Sequence, residues 1–250
     1  MTFPDHFSGS AATYAAHRPT YPPALFAWLA DAAPARDHAW DCATGSGQAA
    51  VPLAAHFARV TATDASAVQL AHATPHERVA YDVAPAEASG LPDASVDLVT
   101  VAQALHWFRR DAFWREARRV LVPRGVVAVW SYDDITLDVP AVDAAFQAHV
   151  RSVLGPDWPA ERVLVGAGHR TIELPFDELD VPAFPLERAW TLDELLGYVR
   201  SWSATARHVA RTGRDPVPAL RDALAPAWPG RDPRTPVTVR WLLVVRAGRA

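Results

Sequence analysis

Asp41-Cys42-Ala43-Thr44-Gly45-Ser46-Gly47-Gln48 is the stretch from which the rest of the chain is read. A short apolar run over 39–42 ends in an acid and a Gly-x-Gly turn, and helical spacing follows at once over 49–57. Gly45 and Gly47 let the backbone turn sharply and approach a ligand, and a helix start behind them offers unpaired N–H groups. Working outward, the alternation repeats. Apolar runs at 60–63, 79–83, 96–102 and 126–131 read as strands, with helical periodicity at 66–72 and 111–121 between them. Upstream, Leu25, Trp28 and Leu29 mark an apolar helix stripe behind Tyr21-Pro22-Pro23. Strands alternating with helices imply right-handed parallel crossovers, and so an α/β fold built on a doubly wound sheet. Pro52 lacks an N–H and loosens the helix after the loop unless that helix starts late.

The C-terminal part is less regular. Thr191-Leu192-Asp193-Glu194 forms a capping box ahead of a helix, and 237–246 reads as a long buried strand. A strand near 179–181 would pair with it, and the Pro-rich 215–236 reads as a linker. At 250 residues and 50% hydrophobic composition the chain fits one sizeable domain. A net charge of -4 supplies no basic face for nucleic acid. Every basic residue is Arg, as codon usage in a GC-rich genome would produce. Cys42 stands alone, so neither an intrachain disulfide nor a cysteine metal cluster is expected. His72 and His76 have helical ligand spacing, but Pro75 lies between them and no metal is expected. Without a signal-like start or an apolar window long enough for a bilayer, the chain reads as soluble and cytoplasmic. No pattern in it fixes an oligomeric state.

Asp64 closes the next strand, 23 residues after Asp41, where a carboxylate can accept both hydroxyls of a ribose. Two ligands satisfy this loop. Gly45-Ser46-Gly47-Gln48-Ala49-Ala50 fits the G-x-G-x-x-A form of dinucleotide sites. S-adenosylmethionine fits too, and Asp41 favours it: a carboxylate repels a pyrophosphate but attracts an ammonium and a sulfonium.

The segment Asp41 to Gln48 resembles the first motif of class I S-adenosylmethionine-dependent methyltransferases. The resemblance runs through Tyr14 to Pro22, Thr63-Asp64-Ala65-Ser66, Ala86-Glu87 before Leu91-Pro92, and Ser95 to Phe108. With Ser201-Trp202-Ser203, it is most similar to the trans-aconitate methyltransferase-like (methyltransferase type 11) branch. It implies a Rossmann-like, mostly parallel seven-stranded sheet with an antiparallel last strand and a helical lid insertion. The expected layout is one domain over 1–250: a cap over the cofactor (1–35), a cofactor-binding core (36–135), then a substrate lid with the last two strands (136–250). Two departures stand out. Ala43 replaces the first glycine and is expected to be extended, and Pro85 occupies the place of an acid that commonly meets adenine.

By the same resemblance, Ala43 and Gly45 underlie the methionyl part, Asp41 orders its ammonium, and Gly47 completes the loop. Asp64 takes the ribose, Ala65 sits beside the adenine, Ala86 and Glu87 meet its edge, and Gln103 and Ala104 face the methionyl group. Tyr14, Arg18, Trp107 and Trp202 are the candidate acceptor-binding residues, and His106 is the candidate general base for a hydroxyl acceptor. Asp133-Asp134 reads as a solvated loop past a strand end. The implied enzyme O-methylates a small, anionic metabolite such as a carboxylic acid. The competing readings are an NAD-dependent oxidoreductase and a non-catalytic S-adenosylmethionine-binding protein.

Overall fold

The computed structural model describes residues 19–250. Tyr14 and Arg18 lie outside them. Helix α1 (Pro23–Ala32) precedes β1 (His38–Cys42), α2 (Ala50–Leu53), β2 (Arg59–Asp64), α3 (Ala67–Leu70), β3 (Val79–Val83) and β4 (Val96–Ala102). Then come α4 (Arg110–Val120), β5 (Leu121–Leu137), α5 (Pro140–His149), α6 (Arg162–Gly166), β6 (Asp177–Glu178) and β7 (Leu186–Trp190). Helices α7 (Leu192–Arg200), α8 (Ser203–Thr212) and α9 (Val217–Leu224) lead to β8 (Val237–Arg249).

The strand order is β3-β2-β1-β4-β5-β8-β6, with β7 also on β8. The first five strands pair in parallel, and β8 is antiparallel to all its partners. Eight segments therefore fill seven positions. β6 holds one end of β8 at Gly248 and Arg249, and β7 holds the other from Val237 to Trp241. The strand expected near 179–181 lies just upstream as β6, and the Leu179 N–H extends its ladder to the Ala247 carbonyl; β7 is a second partner of β8 that was not expected.

Side chains along β5 alternate between two cores. Val126, Ala128, Trp130 and Tyr132 pack on the face that carries α1 and the lid helices, while Val127 and Val129 face α4. All five residues of β1 are buried, as a strand covered on both faces requires. α4 turns Phe113, Trp114, Ala117 and Val120 inward, and its ends follow the helix dipole, with Asp111 in the first turn and Arg118 and Arg119 in the last. The capping box of α7 is formed: the Thr191 N–H donates to Glu194 at 2.8 Å and the Glu194 N–H to Thr191 Oγ1 at 3.4 Å.

Three further expectations change. α2 starts only at Ala50, so Pro52 falls in the first turn, where its missing N–H has no intrahelical partner to lose. The 215–236 stretch is no linker, because α9 buries Val217, Leu220 and Leu224 and is followed by the buried Trp228. Asp133 and Asp134 lie within β5 rather than beyond its end. No helix among the described residues is long and apolar enough to cross a membrane.

Candidate functional site

Strand order reverses between β1 and β4, the place where open α/β sheets leave a crevice at the strands' carboxyl ends. A cavity stands there. Its walls include Ala43, Gly45, Asp64, Ala65, Ala86, Glu87, Gln103, Ala104 and Trp107 from the sequence-derived set. Sequence reasoning missed Ser66, Gln69, Ala84, Ala102 and Phe108, which complete the lining together with Pro85 at the expected adenine position. Their signal was adjacency, since each flanks or lies one helical turn from a residue already singled out.

The loop after β1 is shaped by three left-handed residues: Ala43 (φ 55°), Gly45 (φ 56°) and Gly47 (φ 85°). Ala43 is thus not extended, and a non-glycine there costs about 1–2 kcal/mol. Hydrogen bonds hold the turn in place. The Thr44 N–H donates to the Thr63 carbonyl at 2.9 Å, and the Gly45 N–H to Asp64 Oδ2 at 2.9 Å. The other carboxylate oxygen of Asp64 accepts from the Ser66 N–H at 2.9 Å. Asp64 is thereby fixed by the loop it helps to fold.

The two glycines do different work. A Cβ on Gly45 would meet no heavy atom within 4 Å and would project into open space at the cavity wall. A Cβ on Gly47 would come within 2.4 Å of the Tyr81 hydroxyl, which donates to the Thr74 carbonyl at 2.7 Å. Gly47 does not line the cavity; it lets β3 brace the loop.

Asp41 does not line it either. It is 1% exposed beneath the loop, accepting from Thr44 Oγ1 at 2.6 Å and Thr100 Oγ1 at 2.8 Å. Burial pushes its carboxyl up to about 6 against those two hydroxyls, with Asp64 adding to the rise. The acid therefore shapes the turn through Thr44 and does not stand at its mouth, so charge repulsion of a pyrophosphate is a weaker discriminator than the sequence suggested. Glu87 is anchored from the far wall, where it accepts from the Arg109 N–H at 3.1 Å.

Gln103, at the end of β4, is a second strained non-glycine, with φ 59°. Its Nε2 is buried and has no hydrogen-bond partner. A buried amide donor costs about 1–3 kcal/mol when unsatisfied. Strain and an orphaned donor on one cavity wall mark a position built around a missing acceptor.

The remaining candidates lie apart from the cavity. His106 makes tilted ring contacts with Trp107 at 4.9 Å and His169 at 5.6 Å between centroids. Burial, then the fields of His169 and Arg162, drop its imidazole to about 3, a poor match for a general base at neutral pH. Trp202 is 6% exposed and packs on Trp158, Tyr198 and Phe146 in the lid core. Among the described residues no group of three or more His, Cys, Asp or Glu side chains could hold a metal ion.

A sequence profile described as a methyltransferase domain matches residues 40–129, from β1 into β5. A provisionally named methyltransferase of Dictyostelium discoideum is 32% identical over 234 residues, spanning 92% of this chain and 89% of its own. The solved structure of a provisionally named type II methyltransferase from Anaeromyxobacter dehalogenans is 48% identical, with a TM-score of 0.86 over 93% of this chain and 97% of that one. A Haemonchus contortus phosphoethanolamine N-methyltransferase, solved with phosphomonomethylethanolamine and S-adenosylhomocysteine, shares the fold at 16% identity and TM-score 0.52, over 100% of this chain and 60% of that one. Sheet order, a cavity at the strand ends and relatives matched along nearly their whole length place this chain in the class I S-adenosylmethionine-dependent methyltransferases.

Proposed function

We propose that this chain, acting as one catalytic unit, binds S-adenosylmethionine in the cavity at the ends of β1, β2 and β4 and methylates an oxygen of a small carboxylic acid. The observation that carries the donor assignment is the orphaned Gln103 amide facing the loop of Ala43 and Gly45, with Asp64 on the adjoining strand. The bound donor supplies a methyl group on a sulfonium, an already activated leaving group. The protein's part is to bind, orient and keep water out.

Asp64, its carboxylate oriented by the Gly45 and Ser66 N–H groups, is placed to accept from ribose hydroxyls. Ala65, Ala86 and the anchored Glu87 form the adenine wall. Ala43 and Gly45 offer backbone to the methionyl part, and Ala104 and the Gln103 N–H₂ face its carboxylate. Asp41 acts on this end through Thr44. Trp107 and Phe108 close the cavity towards the acceptor. A carboxylate acceptor needs no proton removed, which agrees with the weak basicity of His106. Tyr14 and Arg18 remain candidates for the acceptor side.

Titration calorimetry with S-adenosylhomocysteine and with NAD tests the donor. Binding of the first alone is expected, and binding of NAD alone would overturn the assignment in favour of an oxidoreductase. Transfer of labelled methyl to a panel of carboxylic acids, alcohols and amines tests the acceptor. Product from alcohols or amines but from no acid refutes the acid. Donor binding without turnover of any panel member leaves the binding-protein reading ahead.

A further inference from the structure

Five arginines stand on or beside α4, and they divide into two sets. The first set is engaged. The Arg109 guanidinium meets Glu87 at 3.4 Å, and Arg119 pairs with Glu116 at 2.7 Å and Asp93 at 2.6 Å. Arg110, Arg115 and Arg118 form the second set. Their spacing places them, with Asp111 and Trp114, along one flank of the helix. Among the described residues, none of these three guanidiniums makes an ion pair or a hydrogen bond. Asp111 precedes Arg115 by four residues, a spacing that favours pairing, yet the two stay apart.

The three guanidiniums share a cavity of about 350 Å³ between α4 and the segment 172–175. Trp114, Ile172 and Pro175 give it an apolar part, and Asp111 and Glu173 add two carboxylates. The hydrophobic core sets its walls. Ile172, Leu174 and Phe176 are buried in the same cluster as Trp114, whose ring meets Phe176 edge-on at 5.9 Å. Arg246 of β8 pins the segment by donating to the Ile172 carbonyl at 2.5 Å. Arg118 lies 4.5 Å from the centroid of the Phe176 ring. Stacking of this kind uses the flat face of a guanidinium and leaves the N–H groups along its edge. No residue of this cavity lines the donor cavity.

We infer that this cavity is a second ligand site, one that takes a small phosphate monoester of a polyol, a sugar phosphate in kind. Three planar forks offer more donors than one carboxylate can accept, whereas a phosphate carries three acceptor oxygens on a single charged group. The two acids select the rest of the molecule. A second anionic group on the ligand would be repelled by Asp111 and Glu173, but neutral hydroxyls donate to them. The ligand therefore separates one anionic end from a neutral, hydrogen-bonding end. The cavity's volume lies at the small end of the range for small-molecule sites, as a ligand of that size requires. Sharing no residue with the donor cavity, the site holds independently of the donor assignment.

Titration calorimetry on the full-length protein tests the site with glucose 6-phosphate, inorganic phosphate, citrate and glucose, at constant ionic strength and with or without S-adenosylhomocysteine. Glucose 6-phosphate is expected to bind one to one, roughly fivefold tighter than inorganic phosphate or citrate, and glucose not at all. The midpoint is expected to be the same with S-adenosylhomocysteine present. Arg115→Gln and Arg118→Gln should each weaken binding roughly tenfold, while Arg207→Gln on α8, outside the cavity, changes nothing. Glu173→Gln should weaken glucose 6-phosphate but not inorganic phosphate. Arg115 is exposed and unpaired, so its variant keeps the fold, and an unchanged Tm verifies that. Undetectable binding, glucose 6-phosphate no tighter than inorganic phosphate or citrate, competition by S-adenosylhomocysteine, or an equal loss in Arg207→Gln overturns the site. Failure of S-adenosylhomocysteine itself to bind would unseat the donor assignment and leave this test intact.

Discussion

Replacing Asp41 with asparagine isolates what the buried acid costs the fold. The carboxyl rises from 3.8 to about 6 on folding, chiefly through burial. The native state thus holds this proton more tightly than the unfolded chain does. Below about pH 3 both states are protonated and the cost is absent; it grows as the pH climbs towards 6 and is complete above that. A rise of that size corresponds to about 3 kcal/mol, of which about 2 kcal/mol falls between pH 4.5 and 7.5. The substitution keeps the shape. The carbonyl oxygen of the new amide accepts from Thr44, and the Thr100 hydroxyl can turn to accept from its N–H₂. Urea unfolding followed by tryptophan fluorescence should show Asp41→Asn gaining on the wild type by about 2 kcal/mol as the pH rises from 4.5 to 7.5. A difference that stays constant within about 0.5 kcal/mol over that range would refute the account, whatever its absolute size.

Gly47→Ala should lower stability by about 1–3 kcal/mol through its clash with the Tyr81 hydroxyl, and Tyr81→Ala in the same chain should recover part of the loss in thermal unfolding. Gln103→Ala should weaken S-adenosylhomocysteine binding by roughly 10–100-fold in calorimetry while leaving unfolding nearly unchanged; unaltered affinity would detach this residue from the donor. Thr191→Ala should remove the capping box of α7 and cost about 1 kcal/mol, read as a fall of about 2–4 °C in Tm. Trp202→Ala should cost about 3–5 kcal/mol of stability, and a folded, fully stable variant with selectively lost turnover would return Trp202 to the acceptor site.

The parallel half of the sheet was legible because strands buried on both faces are written as largely apolar runs, Val126 to Trp130 being the plainest. β7 was not. Lying on the sheet's rim, it interleaves the buried Leu186 with the exposed Glu187 and Ala189, and Pro182 and Pro185 interrupt the approach. Proline misled again at 215–236, where Pro218 stands in the first turn of α9 and is compatible with the helix it was expected to prevent. The loop residues could be named from sequence, but not the direction each side chain takes. Ala43 was expected to be extended, yet the contacts of Thr44 with Asp41 and Thr63 accompany a left-handed residue there. His169 carried no local signal, since its partner His106 lies 63 residues away.

The position of β8 governs the order in which the molecule can be assembled during synthesis. It lies between β5 and the pair β6 and β7, all of which leave the ribosome before it. The donor half can close as soon as β5 has emerged. The rim strands have nothing to join until 237–249 arrives, so Trp190 and Tyr198 wait without the Trp241 they pack against, the interval in which a chaperone would have most to hold.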